Sequence, residues 1–359
     1  MPSVLLVSKP IAPPWNDSNK NLVRDLARAF ARYTPRVMVP RGAPLPGVES
    51  VGLYVGGGAY APSRAANARV LAHLLTGPRA DLWHFFFAPN PLTLRAGALA
   101  SRLRGTATVH TLASAPDNLE AVAPALFADS VVVLSTHTQA RLARVGVTST
   151  VIPPALGAVT VTAEAIVKAR ARHDLPPRYA LYAGDLEHSN GADTFLRAAA
   201  RAPSLGWVVA ARPKTARAAD ALATLQSRAR TMGVSVRWLG ELDDILAVVA
   251  GALVNTLVVD TLHAKMDYPL VLLEAMRLGV PVVVSRGSAA EALSAGGARV
   301  VDAGDAAGLA ETVAALAEDD ALRTKLGAEG AAWVAAHCDP AVVAAAYEAV
   351  YDRALAARR

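Results

Sequence analysis

The chain has 359 residues, long enough for one large or two ordinary domains, and 53% of them are hydrophobic, enough to form well-buried cores. The formal net charge of +6 suits phosphorylated substrates, anionic lipid surfaces or nucleic acid. Aromatic residues make up only 5% and the arginines are scattered, which argues against a nucleic-acid-binding surface. Cys338 is the only cysteine, which excludes an internal disulfide and a cysteine metal site.

The first apolar run, MPSVLLVSKP, lacks a basic segment and a cleavage site, so it predicts a strand and not a signal peptide. The longest apolar run, residues 245–254, is well below the roughly 18 residues that a membrane span requires. We therefore expect a cytoplasmic protein, at most peripheral at the inner face of an anionic membrane.

Short apolar runs alternate with helical patterns from end to end. Strands are predicted at residues 3–7, 36–39, 82–87, 106–110, 130–134, 150–152, 179–183, 207–211, 235–239, 253–259, 281–285 and 298–301. Helices are predicted at residues 19–33, 92–103, 193–202, 216–232, 269–278 and 309–316. This alternation predicts parallel sheets that are covered by helices on both faces.

A stretch rich in proline and glycine, IPPALGAVTVTAE at residues 152–164, divides the chain into halves of about six strands each. We predict two doubly wound Rossmann-like α/β domains, 1–155 and 156–338, and a last helix within 339–359. In such sheets ligands bind beyond the carboxyl ends of the strands, so the expected site is a cleft between the domains.

Three segments carry a family resemblance: LYAGDLEHSNGADTFLRAAAR, VRWLGELDDILAVVAGALVNTLVV and, most specifically, PLVLLEAMRLGVPVVVS. They resemble family 4 of the glycosyltransferases, the group 1 enzymes with the GT-B fold. The resemblance implies a retaining transfer of a sugar from a nucleotide-sugar to a hydroxyl acceptor on a glycan, glycolipid or natural product. It implies an N-terminal acceptor domain, a C-terminal donor domain, a final helix that crosses back onto the N-terminal domain, and no cofactor or metal.

The segment from Pro269 is the predicted donor-binding helix. Proline suits the first turn of a helix, and a helix start at Leu270 presents free N–H groups and a positive dipole end to an anion. By resemblance, Glu274 accepts hydrogen bonds from the ribose hydroxyls of the donor, and a carboxylate can accept from two vicinal hydroxyls at once. The alternative is an ordinary exposed helix glutamate, although the rest of this helix is apolar.

Two family features are absent here. Met266 stands where the family has an upstream glutamate that contacts the transferred sugar, and Asp267 or Lys265 can take that role in a rearranged loop. After Gly184 the family has an arginine and, five residues on, a lysine that bind the donor diphosphate, but this chain has Asp185 and Asn190. That is a change of three charge units, each worth roughly 4 kcal/mol at about 4 Å and an effective dielectric near 20.

Other cations can compensate for this loss. Arg212 and Lys214 follow a predicted strand of the C-terminal half, Lys265 precedes the Pro269 helix, and Arg286 follows the next strand. We expect at least two of these side chains to meet a phosphate, and the alternative is that each is simply solvated.

The acceptor side is predicted in the N-terminal half. The family's glycine-rich loop after the first strand is replaced by polar residues, which can meet an acceptor hydroxyl: Asn16, Asp17, Ser18 and Lys20. Asp17 or Ser18 can instead simply cap the following helix. His84 and His110 each lie at a predicted strand end, where the family often has histidine, although a lone histidine at a strand end can instead be structural. We interpret His84 as an acceptor residue, and His110 together with Asp267 as catalytic.

No nucleophile-base pair, metal-binding motif or phosphate-binding loop motif is found, which fits a mechanism based on positioning and charge stabilisation. The expected partners are a nucleotide-sugar and its acceptor, and nucleic acid is not expected. Two alternatives remain: a non-catalytic GT-B protein that binds a sugar or pairs with a transferase, and a related chemistry such as epimerisation of a nucleotide-sugar.

Overall fold

The computed structural model describes residues 1–56, 62–213, 215–262 and 265–358. The chain forms two compact units. The N-terminal unit comprises Met1–Gly157, Ala264–Tyr268 and His337–Arg359, and the C-terminal unit comprises Ala158–His263 and Pro269–Ala336. The N-terminal unit thus includes a short segment from the second half of the sequence.

The strands among the described residues are β1 (Ser3–Val7), β2 (Thr34–Pro40), β3 (Glu49–Tyr54), β4 (Leu82–Phe85), β5 (Ala107–Leu112), β6 (Ser130–Val133), β7 (Thr150–Val151), β8 (Tyr179–Tyr182), β9 (Gly206–Ala210), β10 (Arg237–Leu239), β11 (Val254–Leu257), β12 (Val282–Ser285) and β13 (Arg299–Val301). The helices are α1 (Ser18–Ala29), α2 (Arg64–Thr76), α3 (Pro91–Arg104), α4 (Leu119–Val122), α5 (Thr136–Ala143), α6 (Ala163–His173), α7 (Gly191–Arg201), α8 (Ala216–Thr231), α9 (Ile245–Ala250), α10 (Leu270–Arg277), α11 (Ala306–Glu318), α12 (Asp320–His337) and α13 (Pro340–Ala356). Two short 3-10 helices lie at Ala123–Ala125 and Ala289–Gly296.

Each unit is built on a parallel sheet. The N-terminal sheet has seven strands in the order β3-β2-β1-β4-β5-β6-β7, and the C-terminal sheet has six in the order β10-β9-β8-β11-β12-β13. In each sheet the strand order reverses beside the unit's first strand, between β1 and β4 and between β8 and β11. These reversals are topological switch points, where doubly wound sheets bind their ligands. The predicted α/β class with doubly wound parallel sheets is confirmed.

The central strands are buried on both faces because helices cover both sides of each sheet. Every residue of β4, β5, β8, β11 and β12 is buried. Such strands appear in the sequence as nearly continuous apolar runs, which is why most of them are predictable within one or two residues. The strand β3 was not predicted; it is an edge strand that pairs only with β2 among the described strands, and it is mostly half-buried or exposed.

The last helix, α13, packs on α1 and β5 within the N-terminal unit. The buried Glu348 carboxylate accepts hydrogen bonds from the backbone N–H groups of Ala31 at 2.8 Å and Arg32 at 2.6 Å, and from Arg32 Nε at 3.0 Å. Tyr351, also on α13, lies with its hydroxyl 2.6 Å from His84 Nδ1. Asp352 and Tyr347 add further hydrogen bonds, to Arg32 and Tyr33 and to Thr111, so several polar side chains attach α13 to the rest of the unit.

Two predicted positions shift in the structure. Pro269 is not in the first turn of α10: its ψ of 126° is extended, so it is the cap residue and the helix begins at Leu270. His110 does not end its strand, because β5 continues to Leu112. Among the described residues, no helix combines the length and apolar character that a membrane span requires.

Candidate functional site

The loops after β8 and β11 are joined at the switch point of the C-terminal sheet. The backbone N–H of Asn190 donates to Asp260 Oδ1 at 3.0 Å, and the backbone N–H of Asp260 donates to Asn190 Oδ1 at 3.1 Å. Asn190 is also the residue that precedes α7. This reciprocal pair fixes the two loops that border the expected ligand crevice.

Gly184 is needed for close packing in the same loop. The fully buried Tyr182 at the end of β8 donates its hydroxyl to the carbonyl oxygen of Asp185 at 2.6 Å. A Cβ atom on Gly184 would lie 2.5 Å from that hydroxyl oxygen, and one on Gly191 would lie 2.9 Å from it. Burial raises the pKa of Tyr182, so its hydroxyl stays a neutral donor beneath the loop.

Two acidic side chains lie in the loops at this edge of the C-terminal sheet. Asp185 Oδ1 accepts from the backbone N–H groups of Glu187 at 2.7 Å and His188 at 2.6 Å, which closes a tight turn. Asp260, bonded to Asn190, adds a second carboxylate, and it is exposed. The loops after β8 and β11 therefore place two carboxylates at the switch point of the C-terminal sheet.

The two arginines that were predicted to compensate are each paired with an acid. Arg212 Nη1 lies 2.6 Å from Glu241 Oε1, and Arg286 Nε lies 2.6 Å from Asp302 Oδ1. An arginine has five N–H donors, so each still has donors for a second anion, but each pair is electrically neutral. Lys265 belongs to the N-terminal unit, and Lys214 lies outside the described residues.

The predicted donor helix α10 follows the loop after β11. Its cap residue, Pro269, supplies no side-chain cap. As in any helix, the first N–H groups lie outside the i to i−4 bonds, and that of Leu272 donates to the carbonyl oxygen of Pro269 at 2.9 Å. Its buried residues include Leu270, Leu272 and Leu273, whereas Glu274 is half-buried. The arrangement keeps the polar features predicted for a donor site: a helix start without a side-chain cap and a carboxylate one turn behind it.

Two polar strand residues that the sequence analysis did not single out brace this site. The buried amide of Asn255 on β11 donates to the carbonyl oxygen of Val271 in the first turn of α10 at 3.2 Å. Ser285, at the end of β12, bonds the backbone N–H of Val259 at 2.5 Å and its carbonyl oxygen at 2.6 Å. The available signal was a polar residue inside or at the end of an otherwise apolar strand.

In the N-terminal unit, His110 is a fully buried histidine with one ring nitrogen available. Its Nε2 lies 2.9 Å from the carbonyl oxygen of Phe87, and its Nδ1 is buried without a partner among the described residues. Since a carbonyl only accepts, we assign the proton to Nε2, which leaves Nδ1 as an acceptor. Burial lowers the pKa of His110 to about 4, against the opposing effect of the Phe87 hydrogen bond, so the ring is neutral near pH 7.

Asp267, the other predicted catalytic residue, is buried in the N-terminal unit. Its Oδ2 accepts a hydrogen bond from Ser135 Oγ at 2.6 Å, and Ser135 caps α5. Burial raises the pKa of Asp267, against the opposing effect of the Ser135 hydroxyl. The carboxylate therefore lies close to the start of α5, where a helix stabilises negative charge.

The predicted acceptor loop after β1 is held by its own contacts. Asp17 caps α1 by accepting from the backbone N–H groups of Asn19 at 3.0 Å and Lys20 at 3.1 Å, and it pairs with Lys9 at 2.8 Å. Lys20 is buried and donates to the carbonyl oxygen of Ala12 at 3.1 Å, and burial lowers its pKa. Capping by Asp17 is the simpler of the two roles that the sequence allowed.

The other two acceptor candidates differ in exposure. Asn16 is exposed, and Ser18, the first residue of α1, is half-buried. Asn19, which the sequence analysis did not consider, donates from Nδ2 to the carbonyl oxygen of Phe86 at 3.0 Å and so links the start of α1 to the residue after β4. Asn19 thus lies at the switch point of the N-terminal sheet.

His84 has a different environment from the one expected at a strand end. It is fully buried, with Nδ1 at 2.6 Å from Tyr351 Oη and Nε2 at 2.7 Å from Thr111 Oγ1. Both ring nitrogens are therefore used inside the unit, which favours a role in holding α13 on the sheet. Contact with an acceptor is not supported by these surroundings.

The described residues include no group of three or more histidine, cysteine or acidic side chains with the geometry of a metal site.

Residues 177–319 match the family described as Glycosyl transferases group 1. The resemblance predicted from the sequence is confirmed over this segment, which contains Gly184, Asn190, Arg212 and Glu274. No curated protein matches the chain significantly in sequence.

Solved structures agree with the chain over nearly its whole length. Sucrose-phosphate synthase from Thermosynechococcus elongatus is 20% identical with a TM-score of 0.79, covering 99% of this chain and 100% of its own. HepE from Anabaena, in complex with UDP and glucose, is 17% identical with a TM-score of 0.77, covering 97% of this chain and 99% of its own. A further structure shows HepE with UDP-glucose, at 18% identity and a TM-score of 0.77, covering 98% of this chain and 99% of its own. The fold is therefore the GT-B fold.

Proposed function

We propose that the protein is a retaining glycosyltransferase that moves a sugar from a nucleotide-sugar to a hydroxyl of a glycan, glycolipid or natural product. The observation that carries the proposal is α10: its start has no side-chain cap, Glu274 lies half-buried behind it, and it falls within the group 1 match. A helix start of this kind suits a phosphate, and a carboxylate suits two adjacent hydroxyls.

In the proposed donor site, the first N–H groups of α10 receive the diphosphate and Glu274 receives the ribose hydroxyls. In the N-terminal unit, the neutral His110 accepts a hydrogen bond from a sugar hydroxyl through Nδ1. During transfer, the bond between the anomeric carbon and the phosphate oxygen breaks, and a bond to the acceptor oxygen forms on the same face. The departing phosphate takes the acceptor proton, so the protein supplies position and charge stabilisation.

A second candidate is a GT-B protein that binds a sugar without transferring it. Asp185 and Asp260 at the switch point oppose a diphosphate, and Arg212 is already paired with Glu241. Met266, in place of the family's upstream glutamate, removes a contact to the transferred sugar. These substitutions are the reason to consider the second candidate. It replaces the first if the protein binds no nucleotide.

Nucleotide binding tests the proposal directly. Thermal stabilisation is measured with UDP, GDP, ADP and their sugars, starting with UDP-glucose because HepE has been solved with it. The transferase proposal expects stabilisation by one nucleotide and release of free nucleotide only when an acceptor is added. No stabilisation by any nucleotide would favour the second candidate. Product epimerised without an acceptor would contradict both.

We propose a cytoplasmic location with peripheral contact at an anionic membrane, and activity without a metal ion. The metal proposal is tested by transfer activity in excess EDTA, which should equal the activity without it. Activity that EDTA removes and magnesium restores would refute this part of the proposal.

A further inference from the structure

One part of the N-terminal unit is strongly basic. Between Glu49 and Asp117 the chain has six arginines and one acidic residue, Asp81, a net charge of +5 from six positive and one negative. The single carboxylate is engaged, since Asp81 Oδ2 accepts from the backbone N–H and the hydroxyl of Ser3 at 2.7 and 2.8 Å. This segment contains α2 and α3, which pack against each other and include no acidic residue.

The outer face of α3 carries a line of exposed leucines. Leu92, Leu99 and Leu103 are 78%, 58% and 67% exposed. At about 100° per residue in an α-helix, the three lie within an arc of about 40°. Few large apolar side chains elsewhere in the described residues are as exposed. An apolar stripe of this kind on a helix normally faces a partner.

The inner face of α3 is already packed. Leu94, Gly97, Ala100 and Ser101 are buried, and a Cβ atom on Gly97 would lie 2.5 Å from the ring of Phe127. Gly97 therefore lets α3 pack closely against Phe127. The leucine stripe is on the opposite side of the helix, so it is not an extension of the unit's core.

Two arginines border the stripe. Arg95 and Arg102 are exposed, and neither forms an ion pair with another described residue. On the helical wheel they lie about 60° and 80° to one side of the centre of the leucine stripe. Arg104, by contrast, donates to the carbonyl oxygens of Leu75 and Gly77 at 2.8 Å and holds α3 beside α2. The outer face of α3 thus combines an apolar line with unpaired positive charge.

We propose that this face of α3 docks on an anionic lipid bilayer. Leucines buried at the boundary of headgroups and acyl chains, with arginines beside anionic headgroups, are the features of an interfacial helix. Charge complementarity favours an anionic lipid surface over a protein partner, because the segment between Glu49 and Asp117 has a net charge of +5 and α2 and α3 include no acidic residue. The proposal does not depend on the donor site in the C-terminal unit.

The test is flotation of the full chain with vesicles of phosphatidylcholine alone or with phosphatidylglycerol. The wild type should partition onto the phosphatidylglycerol vesicles, and more weakly as salt is added. Leu92→Gln/Leu99→Gln/Leu103→Gln should lower the partition coefficient by about tenfold or more. Arg95→Gln/Arg102→Gln should lower it by about fivefold for each arginine removed.

The matched controls are Val167→Gln on α6 and Val342→Gln on α13, which remove exposed apolar side chains elsewhere (65% and 51% exposed). Circular dichroism verifies that each variant is folded. Equal partition of the wild type onto both vesicle types, or none, overturns the proposal and leaves a protein partner as the alternative. Loss of binding in the arginine variant but not in the leucine variant also overturns it, because that result indicates adsorption by charge without a docked helix.

Discussion

Acid should destabilise the N-terminal unit through His110, and the size of the effect follows from its burial. The ring is fully buried with only Nε2 bonded among the described residues, and its pKa falls from 6.5 to about 4. Between these values the unfolded chain binds a proton that the folded unit does not bind. The stability associated with the neutral ring is therefore complete above pH 6.5 and is lost as the pH falls through about 4.

The pKa difference sets the magnitude. At about 1.36 kcal/mol per pKa unit, a fall from 6.5 to about 4 corresponds to about 3 kcal/mol of unfolding free energy, most of which is lost by pH 4.5. His84 acts in the same direction, because burial and, to a lesser degree, the charge of His110 hold its pKa well below 6.5. Stability should decline steeply between pH 6 and pH 4.5.

Urea unfolding followed by circular dichroism at several pH values between 4.5 and 7.5 measures this decline. His110→Gln should reduce the loss of unfolding free energy between pH 7 and pH 4.5 by about 2–3 kcal/mol, whatever its effect at pH 7. His137→Gln, which removes an exposed imidazole, is the matched control. Comparison with the wild type cancels the contribution of carboxylates that titrate in the same range. An unchanged decline in His110→Gln would show that this imidazole is protonated in the folded unit.

Other perturbations test the donor site and the attachment of α13. Glu274→Gln should raise the Kd of the bound nucleotide by about tenfold to a hundredfold, measured by calorimetry, because two hydroxyls lose a charged acceptor. Glu311→Gln on α11 is the control. Equal Kd values for Glu274→Gln and the wild type would show that Glu274 does not contact the nucleotide. Arg212→Ala should weaken nucleotide binding more at about 50 mM salt than at about 500 mM. A loss that does not depend on salt would show that Arg212 serves only its pair with Glu241. Glu348→Ala should lower the unfolding free energy by about 2–4 kcal/mol, because two backbone N–H groups lose their acceptor. Asp352→Ala changes a half-exposed side chain, so in the same urea titration it should lower the unfolding free energy by less than about 1 kcal/mol.

The sequence predicts the positions of the buried strands in both sheets, because a parallel strand that is buried on both faces needs a short, continuous apolar run. The first strand was predicted with the limits that β1 has, and 82–87 and 179–183 each extend only slightly past β4 and β8. The edge strand β3 escaped prediction because one neighbour and partial exposure allow the mixed sequence ESVGLY. Local pattern is therefore sufficient where burial is complete and insufficient at the edge of a sheet.

The helix of the candidate site could be predicted from the sequence, but the hydrogen-bond and ion-pair partners of the candidate residues could not. The proline, the apolar run and Glu274 lie within one short segment, so a sequence can indicate them together. The partner of Asp267 is Ser135, 132 residues away, and the partner of Arg212 is Glu241, 29 residues away. No local spacing connects such residues, and the charge that remains available to a ligand depends on these long-range pairs.

The charges at the C-terminal switch point separate the two proposed functions. In the proposed donor site, Asp185 and Asp260 would oppose the diphosphate, whereas the start of α10 and Glu274 are features that suit a nucleotide. If α10 alone held the diphosphate, its dipole would supply only about 0.3–1 kcal/mol at an exposed helix start, far less than two cations provide. Affinity would then come mainly from the ribose contact, and UDP would bind little better than uridine. A large preference for UDP over uridine would instead require a cation that reaches the phosphates. The ratio of the UDP and uridine affinities therefore distinguishes a functional donor site from a protein that binds a sugar without transferring it.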